Sequence, residues 1–155
     1  MTLYAVLRIR GSINVKKPIK DTMTMLKLGR INHCVLIPKN KYYDGMIQKA
    51  KDYITWGEVD NNTLTEMITT RGRLTGNKKI SDEYVKSISN YKSISALSEA
   101  LVKGDVGYKD IKDIKPLFRL NPPKKGYEGT KRHLSVGGTL GYRGDKINDL
   151  LRRMI

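Results

Sequence analysis

The side chains able to carry covalent or proton chemistry are few and scattered. His33 and His133 are the two histidines, far apart in the chain, and Cys34 is the one cysteine. A single thiol leaves no internal disulfide and no cysteine-built zinc site. Its place in the apolar run Cys34-Val35-Leu36-Ile37 marks it as a packed group rather than a reactive one. Asp110 and Asp113 have the spacing to share a helical face, an arrangement that a solvated helix edge explains without any catalysis. Neither a Gly-x-Ser-x-Gly elbow nor a His-Glu-x-x-His pattern occurs, so no nucleophile is paired with a base and no metal cage is spelled out. The glycine run "VGGTLGYRGDK" is no P-loop, because Gly144 is followed by Asp145 where Lys is needed. The expectation is a protein that is not an enzyme and carries no cofactor or metal.

Anion binding is the chemistry that the residue types do support. Thirty Lys and Arg stand against 15 Asp and Glu, for a net charge of +15. The excess is polarised: 11 basic against 3 acidic residues in 1–57, 7 against 7 in 58–106, and 12 against 5 in 107–155. Such a field costs self-repulsion unless a polyanion neutralises it. Three runs combine cations with glycine and little acid: Arg8, Arg10, Gly11, Asn14, Lys16, Lys17 and Lys20; then Arg71, Arg73, Asn77, Lys78 and Lys79; then Lys124, Lys125, Lys131, Arg132, His133 and Arg143. Glycine lets backbone lie against a bulky phosphate surface, and cations at backbone spacing supply most of the affinity. A membrane surface would call for a helix with lysines opposite Trp, Phe and Leu, and the chain has one Trp and one Phe. No helix-turn-helix or zinc finger is present, and irregular basic loops suit folded RNA better than duplex DNA. A small RNA-acting enzyme using Asp110, Asp113 or His133, an assembly factor, and a DNA-compacting protein are the alternatives.

These cations need a scaffold. Residues 3–10 alternate as a strand, with Leu3, Ala5, Leu7 and Ile9 on one face and Tyr4, Val6, Arg8 and Arg10 on the other. The odd positions are expected to bury against helices and the arginines to stay exposed. Pro18 opens a helix carrying Ile19, Met23 and Leu26, with Gly29 as its stop. The run from His33 to Pro38 is an inner strand, and a second helix carries Met46, Ile47, Ala50 and Tyr53 or Ile54. Leu117-Phe118-Arg119-Leu120 supplies a further strand. The expected fold class is therefore α+β, with helices on one face of the sheet. Between these parts lies a helical insert: a helix capped by Thr63 and Glu66 and ended by Gly72, then short helices near 82–88 and 96–103. The part after Pro123 has almost no apolar periodicity and reads as an arm ordered by a partner, closing in a helix with Asp145 as N-cap. The expected organisation is a core of residues 1–57 and 114–123, a mostly helical insert of 58–113, and a basic, glycine-rich arm with a terminal helix over 124–155.

The stretches "RIRGSINV", "LGRINHCVLIP", "GMIQKAKDYITWGE", "RGRLTGNK" and "KRHLSVGGTLGYRGDKINDLLRRM" resemble, in order and over nearly the whole chain, the universal ribosomal large-subunit protein thirty family. The resemblance is to its long archaeal form, related to eukaryotic large-subunit protein seven. It implies a ferredoxin-like β-α-β-α-β core and a cytoplasmic, structural place in the large ribosomal subunit. Large-subunit rRNA, the 5S rRNA region and neighbouring ribosomal proteins are the implied partners. Carried over residue by residue, the family's RNA-facing positions fall on Arg8, Arg10, Gly11, Asn14, Lys16, Lys17 and Lys20; on Arg30, Asn32 and His33; on Arg71, Arg73, Asn77 and Lys78; and on Lys131, Arg132, His133 and Arg143.

Overall fold

A computed structural model describes residues 3–155. In chain order the elements are β1 (Leu3–Arg8), α1 (Lys17–Met25), β2 (His33–Pro38), α2 (Lys41–Ala50), β3 (Ile54–Glu58), α3 (Asn61–Arg71), α4 (Asp82–Ile88), α5 (Ile94–Lys103), β4 (Leu117–Arg119), β5 (Gly129–His133), β6 (Gly138–Tyr142) and α6 (Lys146–Met154). The strands form one sheet in the order β4-β2-β1-β3-β6-β5. β1 runs antiparallel to both neighbours, with Leu7 opposite Cys34 and Thr55. The fold is α+β, as the alternating pattern requires.

Both faces of that sheet are covered, which corrects the expectation of helices on one face. Tyr4 and Val6 pack with Met23, Leu26, Ile47, Ala50 and Trp56, under α1 and α2. Leu3, Ala5, Leu7 and Ile9 pack on the other side with residues of α3, α5 and α6 such as Met67, Leu97 and Leu151. Every residue of β1 is consequently buried, Arg8 included. The insert supplies the second helical layer. At about 25 cal/mol per Å2 of apolar surface removed from water, a bare sheet face would be a large cost, and the insert helices cover it.

Local chemistry explains the boundaries, and several differ from expectation. The strand after α2 is β3, because the helical spacing of Met46, Ile47 and Ala50 stops at Ala50 and Ile54-Thr55-Trp56 then alternates as β-branched and aromatic residues do. Leu117–Arg119 is the edge strand beside β2. α1 ends two residues earlier than Gly29 would have it: Lys27 takes the left-handed turn at φ 64°, with Leu28 N–H donating to Met23 O. α3 is capped by Asp60, whose carboxylate accepts from Thr63 N–H, and not by a Thr63–Glu66 box. The serines of the insert are spent on helices: Ser81 and Ser93 cap α4 and α5.

The basic tail is also built into the sheet rather than left as an arm. β6 lies parallel to β3, Thr55 Oγ1 donates to Gly141 O at 2.8 Å, and Thr139 and Leu140 are buried. Glycine makes this possible where hydrophobic periodicity is missing. A methyl group on Gly57 would overlap the Gly144 carbonyl, so the turn into α6 sits directly on β3. Asn148 then ties α6 down, accepting from Asp60 N–H and donating to Glu58 O.

Candidate nucleic-acid interface

The end of β1 and the starts of β2 and β3 lie at one end of the sheet, because β1 is antiparallel to both. β4 finishes there too, with Arg119 opposite His33. The loops that open there are 9–16, 26–32 and 51–53; Arg10 and Lys16 lie in the first, Arg30 in the second, and Arg8 at the end of β1 leads into them.

Arg8 organises this end. The residue is 2% exposed and its guanidinium spends its donors inward: Nη1 to Leu28 O at 2.7 Å, Nε to Arg10 O at 2.8 Å and Nη2 to Ser12 Oγ at 2.8 Å. Burial lowers its pKa from the usual arginine value. No carboxylate lies within salt-bridge distance of it among the described residues. Charge-assisted bonds to carbonyls replace a counter-ion, and each is stronger than its neutral equivalent. Arg8 is therefore a clasp between two loops, which corrects its reading as an exposed phosphate contact.

Arg10 is the outward member of the pair. Its guanidinium stands 5.0 Å from the centroid of the Tyr53 ring, with Nη1 donating to Asp52 O at 3.4 Å. Asp52 also meets the tail: His133 Nε2 is 3.1 Å from its Oδ1. Gly11, Asn14, Lys16, Lys17, Lys20 and Arg30 are exposed. Asn14 and Asn32 hold left-handed turns at φ 59° and 66°, a conformation asparagine tolerates better than most residues. Asn32 is half-buried, takes Arg8 O through its N–H, and accepts from the Tyr127 hydroxyl.

His33 sits among cations. Burial first, then Arg119, Arg30 and Arg8, hold its pKa below the ordinary 6.5. Its Nδ1 is buried without a hydrogen-bond partner among the described residues. Like charges at this density repel one another, and an incoming phosphate would relieve them.

The other predicted residues fall elsewhere. Arg71, Arg73, Asn77 and Lys78 belong to the end of α3 and a hairpin in which Arg73 pairs with Lys79, with positive φ at Gly76 and Asn77. That hairpin is bonded to 113–115, through Thr75 N–H to Asp113 O and Lys115 N–H to Arg73 O. Lys131 and Arg132 are exposed on β5, the outer strand. Arg143 turns inward, donating to Thr55 Oγ1 at 2.9 Å and Thr139 O at 2.8 Å, and burial lowers its pKa. Arg119 was missed by the sequence reading, since a lone arginine at the end of a short strand carries no pattern. Only its pairing with His33 places it at this end.

Comparison with known proteins gives the family. The family model described as ribosomal protein L30p/L7e matches residues 4–54, the part that contains β1, α1, β2 and α2 and reaches the first residue of β3. Over its full length the chain is similar to the large ribosomal subunit protein uL30 of Methanocorpusculum labreanum, 53% identical over 98% of this chain and 99% of that one. It is similar too to uL30 of Methanosphaera stadtmanae, 54% identical over 99% and 100%, and of Methanococcus maripaludis, 52% over 98% and 99%. The insert and tail are thus covered as fully as the core, and the chain belongs to the L30p/L7e family of ribosomal proteins.

Proposed function

We propose that this protein is a structural constituent of the large ribosomal subunit that grips large-subunit rRNA with the clasped end of its sheet, near the 5S rRNA region, and touches neighbouring ribosomal proteins elsewhere. One observation carries the reading. Arg10, Arg30, His33 and Arg119 are gathered at the end of one sheet, with exposed Lys16 and Lys17 where the loop after β1 enters α1, and the Asp52 carboxylate is taken up by His133. Full-length similarity to proteins named as large-subunit components supports it.

The mechanism is positioning. The two-sided core fixes β1, Arg8 fixes the loops, and the loops present cations at set spacing, so that little ordering remains to be done when RNA docks. Phosphate contacts give affinity and orientation, while shape gives selectivity. Binding to large-subunit rRNA fragments is expected to weaken with salt by ~0.7–0.9 log units per log unit of salt for each phosphate held. A salt-insensitive affinity, or none at low salt, contradicts the proposal. Co-sedimentation of the protein with large subunits through a moderate salt wash is the expected companion result.

A further inference from the structure

The two loops clasped by Arg8 are made alike. Gly11-Ser12-Ile13-Asn14 and Gly29-Arg30-Ile31-Asn32 share the pattern Gly-x-Ile-Asn. In both, the asparagine is left-handed and the isoleucine before it points to solvent: Ile13 is 89% exposed and Ile31 46%. They lie side by side, since a methyl group on Gly11 would stand 3.6 Å from Ile31 Cδ1. Arg8 fastens both, through Ser12 in the first and Leu28 at the base of the second. Asn32 N–H adds a bond to Arg8 O.

A single exposed isoleucine needs no explanation. Two on twin turns, held by a buried guanidinium and carried on loops that also bear Arg10, Lys16, Lys17 and Arg30, are a different matter. Flexible apolar side chains on a floppy loop would fold back onto the protein, whereas these turns are hydrogen-bonded into an outward pose. The surrounding charge selects a polyanion over an apolar protein surface.

Resting on the rRNA reading above, we propose that Ile13 and Ile31 form a two-pronged apolar tip that packs against unstacked bases or sugar faces in a non-helical part of the bound rRNA. The lysines and arginines around it hold the flanking phosphates. The tip supplies the part of the affinity that salt does not screen, and it discriminates an irregular RNA site from plain duplex, whose bases are stacked out of reach.

The test is a salt series of dissociation constants for wild type, Ile13→Ser, Ile31→Ser, Ile13→Leu and a Lys16→Ala/Lys17→Ala pair, on large-subunit rRNA fragments and on plain duplex RNA. Ile13→Ser is expected to weaken rRNA binding about tenfold or more at every salt concentration, the scale of a buried isoleucine, with an unchanged slope and unchanged thermal midpoint. Ile31→Ser has a smaller effect of the same kind, Ile13→Leu binds as wild type, and duplex binding ignores all three. The lysine pair instead lowers the slope by roughly 1.4–1.8. Isoleucine variants that bind rRNA like wild type overturn the tip while leaving the rRNA reading intact, as does an equal loss on duplex. A wild-type protein without rRNA affinity overturns both.

Discussion

Two segments look alike in the sequence, "RIRGSINVKK" and "RGRLTGNKK", each a basic run broken by glycine. The fold treats them in opposite ways. In the first, one arginine is buried and three of its donors are satisfied, two by its own loop and one by the loop after α1. In the second, Leu74 N–H bonds to Lys78 O and Asn77 N–H to Leu74 O, Arg73 donates only to the adjacent Thr70 and Gly72 carbonyls, and residues 75–79 remain exposed. A basic loop is thus a rigid mould when one of its cations is buried and fastens it to a second loop, and a solvated hairpin when its arginine bonds only to the residues next to it. The difference lies in which sheet element leads in: β1 is central and covered on both faces, whereas the hairpin follows the last turn of α3 at the surface.

The largest expected effect comes from removing the clasp. Arg8→Met keeps the length of the side chain but leaves the Leu28 and Arg10 carbonyls without their donor. It should cost about 3 kcal/mol in urea unfolding, given 1.5–3 kcal/mol for a hydrogen bond from a charged group. No stability change there would erase the distinction between the two segments. Gly76→Ala follows: the space around it is open, so the φ of +86° is the whole penalty, about 1 kcal/mol in the same assay. Gly11→Ala should be close to neutral, because the added methyl group meets Ile31 at ordinary contact distance.

A smaller effect is expected with pH. The folded state holds His33 below its usual 6.5, so the unfolded chain binds more protons and stability falls as pH drops below about 6.5. His33→Gln should flatten that slope. RNA works in the opposite direction: a phosphate beside His33 raises its pKa from the lowered value of the free protein, so binding tightens as pH falls toward the range where His33 takes up its proton, and the variant loses that dependence as well. Smallest of all for the fold are Lys16→Ala and Lys78→Ala, each leaving the thermal midpoint in place. They separate in binding, with the salt slope changed by Lys16→Ala and far less by Lys78→Ala.

Much of this was legible in the residues. Alternation in β1, Pro18 at the start of α1 and the apolar run of β2 all led to the elements observed, and the α+β class follows from them. Cys34 is packed as its neighbours suggested, its thiol pushed up to about 12 by burial. What was hidden depended on long-range partners. Arg8 alternates with Leu7 and Ile9 as an exposed residue would, and only the loops that follow β1 and α1, with their Leu28, Arg10 and Ser12 acceptors, make it interior. The tail strands were hidden because glycines and Thr139, rather than an apolar stripe, fit them to β3 and to each other. Arg119 reached the site through strand pairing alone.

The central claim is that the clasped end of the sheet, and not the hairpin, is where rRNA sits. The most direct measurement compares the salt dependence of binding to large-subunit rRNA for Arg10→Ala/Lys16→Ala/Lys17→Ala and for Arg73→Ala/Lys78→Ala/Lys79→Ala, both checked for an unchanged thermal midpoint. The account predicts that the first variant loses roughly 2–3 from the slope, and that the second keeps a slope close to wild type. The reverse ranking would contradict it.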